Sequence, residues 1–343
     1  MVRKIFCKKS FFLNLEISCL ICSIHCLILH YPCYVNKNKR LAYLGPSGTF
    51  TEHALLNQAD LKELDLISVA SIPEVLKQVS DNSADLGFVA IENSIEGSVN
   101  ITQDTLTFDA DLLIQREVVE SIELNLLASS GTSLNEITNV LSFPHAIAQC
   151  RDWLSDNLPN ASTEAANSTA DAARHISEKP QKGFASIGTA RAADAYGLEI
   201  LVSGIQDHSD NETRFVLVAS DGVPNPTGHD KTSIVVFQDS DRPGSLLGIL
   251  QEFAARSLNL TRLESRPTKQ GLGNYCFLID LEGHISDEVV ADCLKNLHMK
   301  NGSVKFLGSY PAAGDNKTVK DKTSVDSKKA DSWLDELRGR IGK

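Results

Sequence analysis

A chain of 343 residues is longer than one hydrophobic core ordinarily organises, so two or three domains are expected. Apolar residues make up 42 % and charged residues 22 %, an ordinary globular balance. A net charge of −11 argues against a general nucleic-acid binder, yet leaves room for a few local arginines to hold a small anion.

Residues 1–40 differ in character from the rest of the chain. Arg3, Lys4, Lys8 and Lys9 precede an apolar run over 11–34, which superficially resembles a signal or membrane segment. Glu16 interrupts that run and a small-x-small cleavage site is missing, so it is read as an extension outside the fold, with no stable membrane association. Five of the eight cysteines fall within the first 33 residues; Cys150, Cys276 and Cys293 stand apart in the globular part. That part is not a disulfide scaffold and suits a reducing, cytoplasmic compartment. Cys19-x-x-Cys22 with His25 and Cys26 lacks the turn residues that would fold around an ion, and no metal site is assigned.

From residue 41 the pattern is regular. Short apolar runs at 41–45, 66–70 and 86–91 read as strands. Thr49-Phe-Thr-Glu52 and Ser71-Ile-Pro-Glu74 read as capping boxes opening the helices between them. This spacing predicts parallel βαβ units, with a ligand at the carboxyl ends of the strands. A second α/β stretch comes next, with strands near 124–128, 139–143 and 184–187 and helices near 145–156, 169–177 and 189–196. Its last strand covers 214–219. Residues 221–231, rich in Pro and Gly, read as a linker. Residues 232–310 run strand, helix, strand, strand, helix, strand, the ferredoxin-like βαββαβ order. The tail, 311–343, reads as disordered, with a short amphipathic end over 333–341.

Three turns are more polar than connectors need to be. Gly45-Pro-Ser-Gly-Thr49 precedes a helix N-terminus, where free N–H groups favour an anion, although most such turns are only turns. Glu92-Asn-Ser-Ile-Glu-Gly97 comes directly after a buried strand, where α/β sheets bind ligands; the plain alternative is a capped loop. Asn211-Glu-Thr-Arg-Phe215 offers a hydroxyl and a guanidinium fork suited to a carboxylate, or simply a strand start beside a surface Arg.

Together with Tyr43-Leu-Gly-Pro-Ser-Gly-Thr-Phe-Thr-Glu52 and Ser142-Phe-Pro-His-Ala-Ile-Ala-Gln-Cys150, these segments resemble the ordered signature blocks of prephenate dehydratases. Leu258-Asn-Leu-Thr-Arg-Leu-Glu-Ser-Arg-Pro267 and Pro243-Gly-Ser-Leu-Leu247 resemble the two regulatory blocks of the same enzymes. The resemblance spans about residues 41–310. It implies a two-lobed, periplasmic-binding-protein-like α/β catalytic domain over 41–220, followed by a ferredoxin-like ACT domain over 232–310. By the same resemblance Thr213 is the catalytic threonine. Arg214, Asn93, Ser94, Ser142, Gln149, Ser47 and Thr49 bind substrate, with Arg214 taking its carboxylate. Gly244, Ser245, Leu246, Leu247, Glu264, Ser265, Arg266 and Pro267 line a phenylalanine site between subunits of a homodimer or homotetramer. No metal or organic cofactor is implied, and removal of 232–343 is expected to spare some catalysis.

This sequence departs from the family pattern in three places. Ala90 stands where Pro is usual, Phe143 and His145 replace His and Gln, and Ser245 replaces Ala. An arogenate dehydratase, or a non-catalytic amino-acid sensor, are the competing readings. A dehydrogenase is disfavoured, because no Gly-x-Gly-x-x-Gly run comes after the first strand.

Overall fold

The computed structural model describes residues 39–238, 243–269, 274–301, 303–314 and 332–340. The expected extension up to residue 38, with its cysteine cluster, and most of the expected tail lie outside the described residues. Residues 332–338 form the helix expected near the end of the chain. Among the described residues, no helix is long and apolar enough to cross a membrane.

Strands β1 (Arg40–Leu44), β2 (Asp65–Val69) and β3 (Leu86–Asn93) pair in parallel around helices α1 (Phe50–Leu56) and α2 (Ile72–Ser80). Both helices open where the sequence predicts. Thr49 and Ser71 accept from the Glu52 and Glu74 N–H groups. The Glu52 and Glu74 carboxylates reach back to the Gly48 and Ala70 N–H groups, satisfying donors that a first helical turn leaves open. A two-residue strand, β4 (Gly97–Ser98), turns back on β3. Helix α3 (Asn100–Asp104) then runs into a single π turn over Thr105–Asp109.

The first sheet is completed by two strands that the sequence reading missed or shortened. β5 (Leu113–Ser121), with charges at Arg116 and Glu117, carries no clean hydrophobic signal. The chain crosses at 122–124 into a second sheet of β6 (Asn125–Ala128), β7 (Asn139–Ser142), β8 (Ser162–Ala165), β9 (Phe184–Gly188) and β10 (Glu199–Val202), in the order β10-β6-β9-β7-β8. It returns at 203–211 as β11 (Glu212–Ala219), which inserts antiparallel between β3 and β5. Two crossings between two sheets make two lobes with a two-stranded hinge, the expected two-lobed architecture.

The second lobe carries α4 (Pro144–Ala148), α5 (Arg151–Asn157), α6 (Thr169–Glu178) and α7 (Ala190–Tyr196). A single helix was expected over 145–156, but it breaks at Gln149 and Cys150. The Asp207 carboxylate accepts from the Asp152 and Trp153 N–H groups at 3.1 Å each, while the Asp207 N–H donates to the Gln149 carbonyl at 2.7 Å. Asp207, 55 residues beyond Asp152 in sequence, thus caps α5 from outside, which no local pattern announces.

The C-terminal domain has the expected βαββαβ order: β12 (Asp230–Phe237), α8 (Ser245–Ala254), β13 (Leu260–Pro267), β14 (Tyr275–Glu282), α9 (Glu288–Asn301) and β15 (Ser303–Pro311). Its sheet runs β13-β14-β12-β15. One face of this sheet, with Ile234, Val236, Phe277 and Ile279, buries α8 and α9 through Ile249, Phe253, Val290 and Leu297. The other face, with Val235, Cys276, Leu278, Leu307 and Tyr310, shares a core with Ile91, Ile114, Val216 and Val218 of the first lobe. Removing residues 232–343 would therefore uncover an apolar face of the catalytic lobe, so the expected separability of the two parts comes with a large loss of buried area.

The two sheets press together backbone to backbone at Gly308. Its φ is +136°, and a Cβ there would lie 2.5 Å from the Ile114 carbonyl oxygen. Neither backbone can retreat without moving a strand. Gly308→Ala is expected to cost about 1–3 kcal/mol and to lower the melting temperature by a few degrees. An unchanged melting curve would show that the two sheets are not held this closely in solution.

Candidate active site

The turn at 45–49 shows what an anion-favouring helix start is used for here. Gly48 has φ +88°, and a Cβ on it would meet the Ala192 Cα at 2.9 Å, so the turn presses directly on α7 of the other lobe. Thr189 Oγ1 donates to the Gly48 carbonyl at 2.9 Å, and the Tyr196 hydroxyl donates to the Ser47 carbonyl at 2.8 Å. The anion drawn to this turn is the chain's own Glu52, which accepts from the Gly48 N–H at 2.7 Å and from Ser47 Oγ at 2.9 and 3.0 Å. Thr49 is buried, caps α1 and donates to the Leu44 carbonyl at 3.1 Å. The side chains of Ser47 and Thr49, expected to touch substrate, thus hold the turn together within the first lobe, while the Ser47 and Gly48 carbonyls join it to the second.

The second turn gathers the polar groups. The Asn93 Oδ1 accepts from the Ile95 and Glu96 N–H groups at 3.0 and 2.9 Å. That fixes which end of the amide is which, so Nδ2 is the donor toward Asn211 Oδ1 at 2.7 Å, Thr213 Oγ1 at 2.9 Å and the Glu212 carbonyl at 3.1 Å. Asn211 Nδ2 then donates to Gln149 Oε1 at 3.0 Å, and Gln149 Nε2 donates to Glu96 Oε1 at 3.2 Å. The other Glu96 oxygen lies 2.5 Å from His145 Nδ1, and the His145 ring stacks on Phe143 with centroids 5.2 Å apart. Ser94 Oγ accepts from the Glu212 N–H at 2.9 Å and donates to the Asp210 carbonyl at 3.1 Å, bracing the turn against the hinge.

This chain of bonds runs from Thr213 on the hinge strand through the first lobe to α4 of the second. It brings together four expected residues, Asn93, Ser94, Gln149 and Thr213. It adds Glu96, Asn211 and His145, which the sequence reading quoted within motifs without giving them a part. The break between α4 and α5 is what turns Gln149 toward Glu96. Ser142 is not part of the group: it is fully buried and donates to the Ile187 carbonyl at 2.8 Å, fastening β7 to β9.

Arg214, expected to take a substrate carboxylate, points away from these groups in the structure. Successive residues of a strand face opposite sides of the sheet. Phe215 and Leu217 pack on the α1 side, and Val216 and Val218 on the side of the C-terminal domain. Thr213 falls with the first set and Arg214 with the second. The guanidinium is buried, donating through Nε to Glu117 at 2.7 Å, through Nη1 to Asp280 at 2.7 Å and through Nη2 to the Tyr310 hydroxyl at 2.8 Å. Glu92 lies 3.3 Å from Nη1. Burial alone would loosen the Arg214 proton, but Tyr310, Asp280 and Glu117 hold it more firmly than in an ordinary arginine. Burial would likewise raise the Asp280 carboxyl, yet Arg214 and Arg262 keep it below the usual carboxylate range. Each of its three nitrogens is already bonded within the protein.

The same alternation divides the regulatory motif. Arg262, Glu264 and Arg266 on β13 face the catalytic lobe. Ser98 Oγ donates to Glu264 at 2.5 Å, and Arg266 donates to Asp104 at 2.8 Å and to Asn100 at 2.6 Å. Glu264 and Arg266, expected to line an amino-acid pocket, grip the segment just past the Asn93 turn. Ser265 and Pro267 lie on the opposite, helix-bearing face and are exposed. Gly244, with φ +87°, sits at the N-terminus of α8 ahead of Ser245, and Leu246 and Leu247 are exposed on that helix.

A guanidinium that the sequence reading missed stands between the lobes. Arg191, in the first turn of α7, is partly exposed, has its Nε 3.4 Å from Glu52, and makes no hydrogen bond through that Nε. The signal for it was available, since it lies just past the carboxyl end of β9, where α/β sheets take ligands. Cys150, Cys276 and Cys293 are buried, and burial pushes the Cys150 thiol up to about 12, which removes it as a nucleophile.

The prephenate dehydratase family model matches residues 41–223, and the ACT domain model matches residues 232–298. The prephenate dehydratase of Mycobacteroides abscessus is 41% identical over 311 residues, covering 88% of this chain and 99% of the relative. Among solved structures, the prephenate dehydratase of Arthrobacter aurescens in complex with L-Phe is similar with a TM-score of 0.77 and 38% identity, covering 88% of this chain and 99% of that one. GqqA, described as a novel type of quorum quenching acylase, is similar with a TM-score of 0.72 and 27% identity, over 80% of this chain and 98% of that one. The last shows that the fold also carries a differently named activity, so the assignment rests on the family model and on the 41% relative: the chain belongs to the prephenate dehydratase family and ends in an ACT domain.

Proposed function

We infer that this chain converts prephenate to phenylpyruvate, with release of carbon dioxide and water, and that phenylalanine bound to its ACT domain regulates the reaction. The observation that carries the catalytic reading is the oriented hydroxyl of Thr213. Asn93 donates to its oxygen, so the hydroxyl proton is left to point away from Asn93. The electron pair of the breaking C–CO2 bond moves through the ring and breaks the ring C–O bond, so the hydroxyl leaves as hydroxide, takes a proton from solvent to become water, and the ring becomes aromatic. A threonine hydroxyl is too weak an acid to lead that step; it serves as a placed donor to the departing oxygen. The Asn93 amide steadies the negative charge that gathers on Thr213 as the bond strengthens. The side-chain carboxylate of the substrate, which Arg214 cannot take, falls to Arg191 on the facing lobe. The carboxylate that leaves should stay poorly hydrated within the closed cleft. We place the enzyme in the cytoplasm and expect at least a dimer, with the exposed face of α8 and β13 forming the phenylalanine site between subunits.

Thr213→Ala is expected to fold normally and to lower kcat about a hundredfold, with a far smaller change in KM. Activity within about threefold of the parent would remove Thr213 from the chemistry. Arg191→Ala should act oppositely, raising KM by about tenfold or more with kcat much less affected; an unchanged KM would leave the carboxylate unassigned. Arogenate supplied in place of prephenate tests the amine against the keto group, scored as phenylalanine against phenylpyruvate. Calorimetry should show phenylalanine binding to the intact chain, and no binding would end the regulatory reading.

A further inference from the structure

Arg214 is placed one residue from Thr213, yet everything it touches lies behind the catalytic face. Its partners form a closed ring whose hydrogen-bond directions can be worked out. Arg214 Nη1 donates to Asp280 Oδ2 at 2.7 Å, and Ser233 Oγ donates to Asp280 Oδ1 at 2.5 Å. With the Ser233 proton so used, the Tyr310 hydroxyl, 2.6 Å away, must donate to Ser233 Oγ. That leaves the Tyr310 oxygen to accept from Arg214 Nη2 at 2.8 Å, which closes the ring. The ring joins one strand of the catalytic lobe, β11, to three of the ACT domain, β12, β14 and β15. On the catalytic side Glu117 of β5 takes Arg214 Nε, and Lys231 of β12 donates to the same carboxylate at 2.8 Å. Charge is balanced: Arg214, Lys231 and Arg262 face Glu117, Asp280 and Glu92.

The ring also sits at an irregularity. Thr213 pairs with Asn93 and Arg214 with Glu92, but Phe215 pairs with Ala90, so β3 carries one extra residue immediately past Arg214. A bulge of this kind changes where the neighbouring side chains aim, and it needs something to hold it. The Thr213 to Asn93 bond lies directly beside it.

We propose that Arg214 is a positioning residue for Thr213, and that the ACT domain, through Asp280, Ser233 and Tyr310, completes the catalytic strand. This rests on Thr213 being the donor to the leaving oxygen. In this arrangement the ACT domain does more than cover an apolar face. It fixes the register at which Thr213 meets Asn93, so any shift among β12, β14 and β15 is felt at the reacting group.

The test uses the full chain with Tyr310→Phe and Arg214→Lys, each assayed well below its own melting temperature, beside Thr213→Ala. Tyr310→Phe keeps the ring volume and removes only the hydroxyl; Arg214→Lys keeps the charge and removes the fork. Both are expected to lower kcat by about tenfold or more while KM stays within about twofold. A role confined to docking the domains would lower the melting temperature and leave kcat unchanged. If both variants keep kcat within about twofold while Thr213→Ala is crippled, the proposal is wrong and the reading of Thr213 stands. If Thr213→Ala is itself active, that reading has failed, and a loss of kcat in the other two would then have to be assigned to another group.

Discussion

One buried guanidinium joins the two halves of this molecule. A charge enclosed between two sheets is tolerated only if every donor is met, and removing one partner of such a group typically costs about 3–5 kcal/mol. Every nitrogen of Arg214 is met, by the three carboxylates of Glu117, Glu92 and Asp280 and the phenol of Tyr310, drawn from both domains. The demand runs in both directions. Asp280 and Tyr310 are more deeply buried than Arg214, and without it each would keep only its bond to Ser233, with the Asp280 charge left without its nearest partner. The domains are therefore matched through a polar cluster set in an apolar interface, which specifies one docking geometry where apolar packing alone would accept several.

That geometry explains why the regulatory domain sits where it does. Strand β13 presents Arg262, Glu264 and Arg266 to the catalytic lobe and Leu263, Ser265 and Pro267 to the other side. A ligand held on the outer face of such a strand has a short route inward: through β13 to Ser98 and Asp104, and so to the segment directly after the Asn93 turn. Burial would raise the Glu264 carboxyl, but its bonds to Ser98, Arg262 and Arg266 keep it below its ordinary value, so it stays ionised and the grip stays charged.

Much of this was legible in the sequence, and the limits have physical causes. The first three strands and both capped helices follow from short apolar runs and Ser/Thr-x-x-Glu signals, because each is stabilised locally. The βαββαβ order of the C-terminal domain was legible for the same reason. β5 was not, since Arg116 and Glu117 interrupt its apolar pattern; the partners that justify them, Asp60 and Arg214, lie far along the chain. The break at Gln149 was not legible either, because the groups that cap α5 come from Asp207. For the site, residue types proved a better guide than their partners. Asn93, Gln149 and Thr213 do converge, whereas Thr49 is engaged in the helix cap that the sequence itself announces, and Ser142 is bound into the framework by a bond to Ile187 that only the folded chain supplies.

The run Thr213-Arg214-Phe215 shows why a motif read as a unit can mislead. Strand geometry sends its three side chains to different places. Thr213 meets Asn93 at the cleft, Arg214 enters the domain interface, and Phe215 stacks on Phe88 in the core with ring centroids 5.2 Å apart. Phe215 packs the strand against α1, and Arg214 bonds it to the ACT domain, opposite the point where β3 carries its extra residue. The Thr213 hydroxyl in front is then held by restraint from both faces of the sheet, which is the placement that the donor role proposed for it requires.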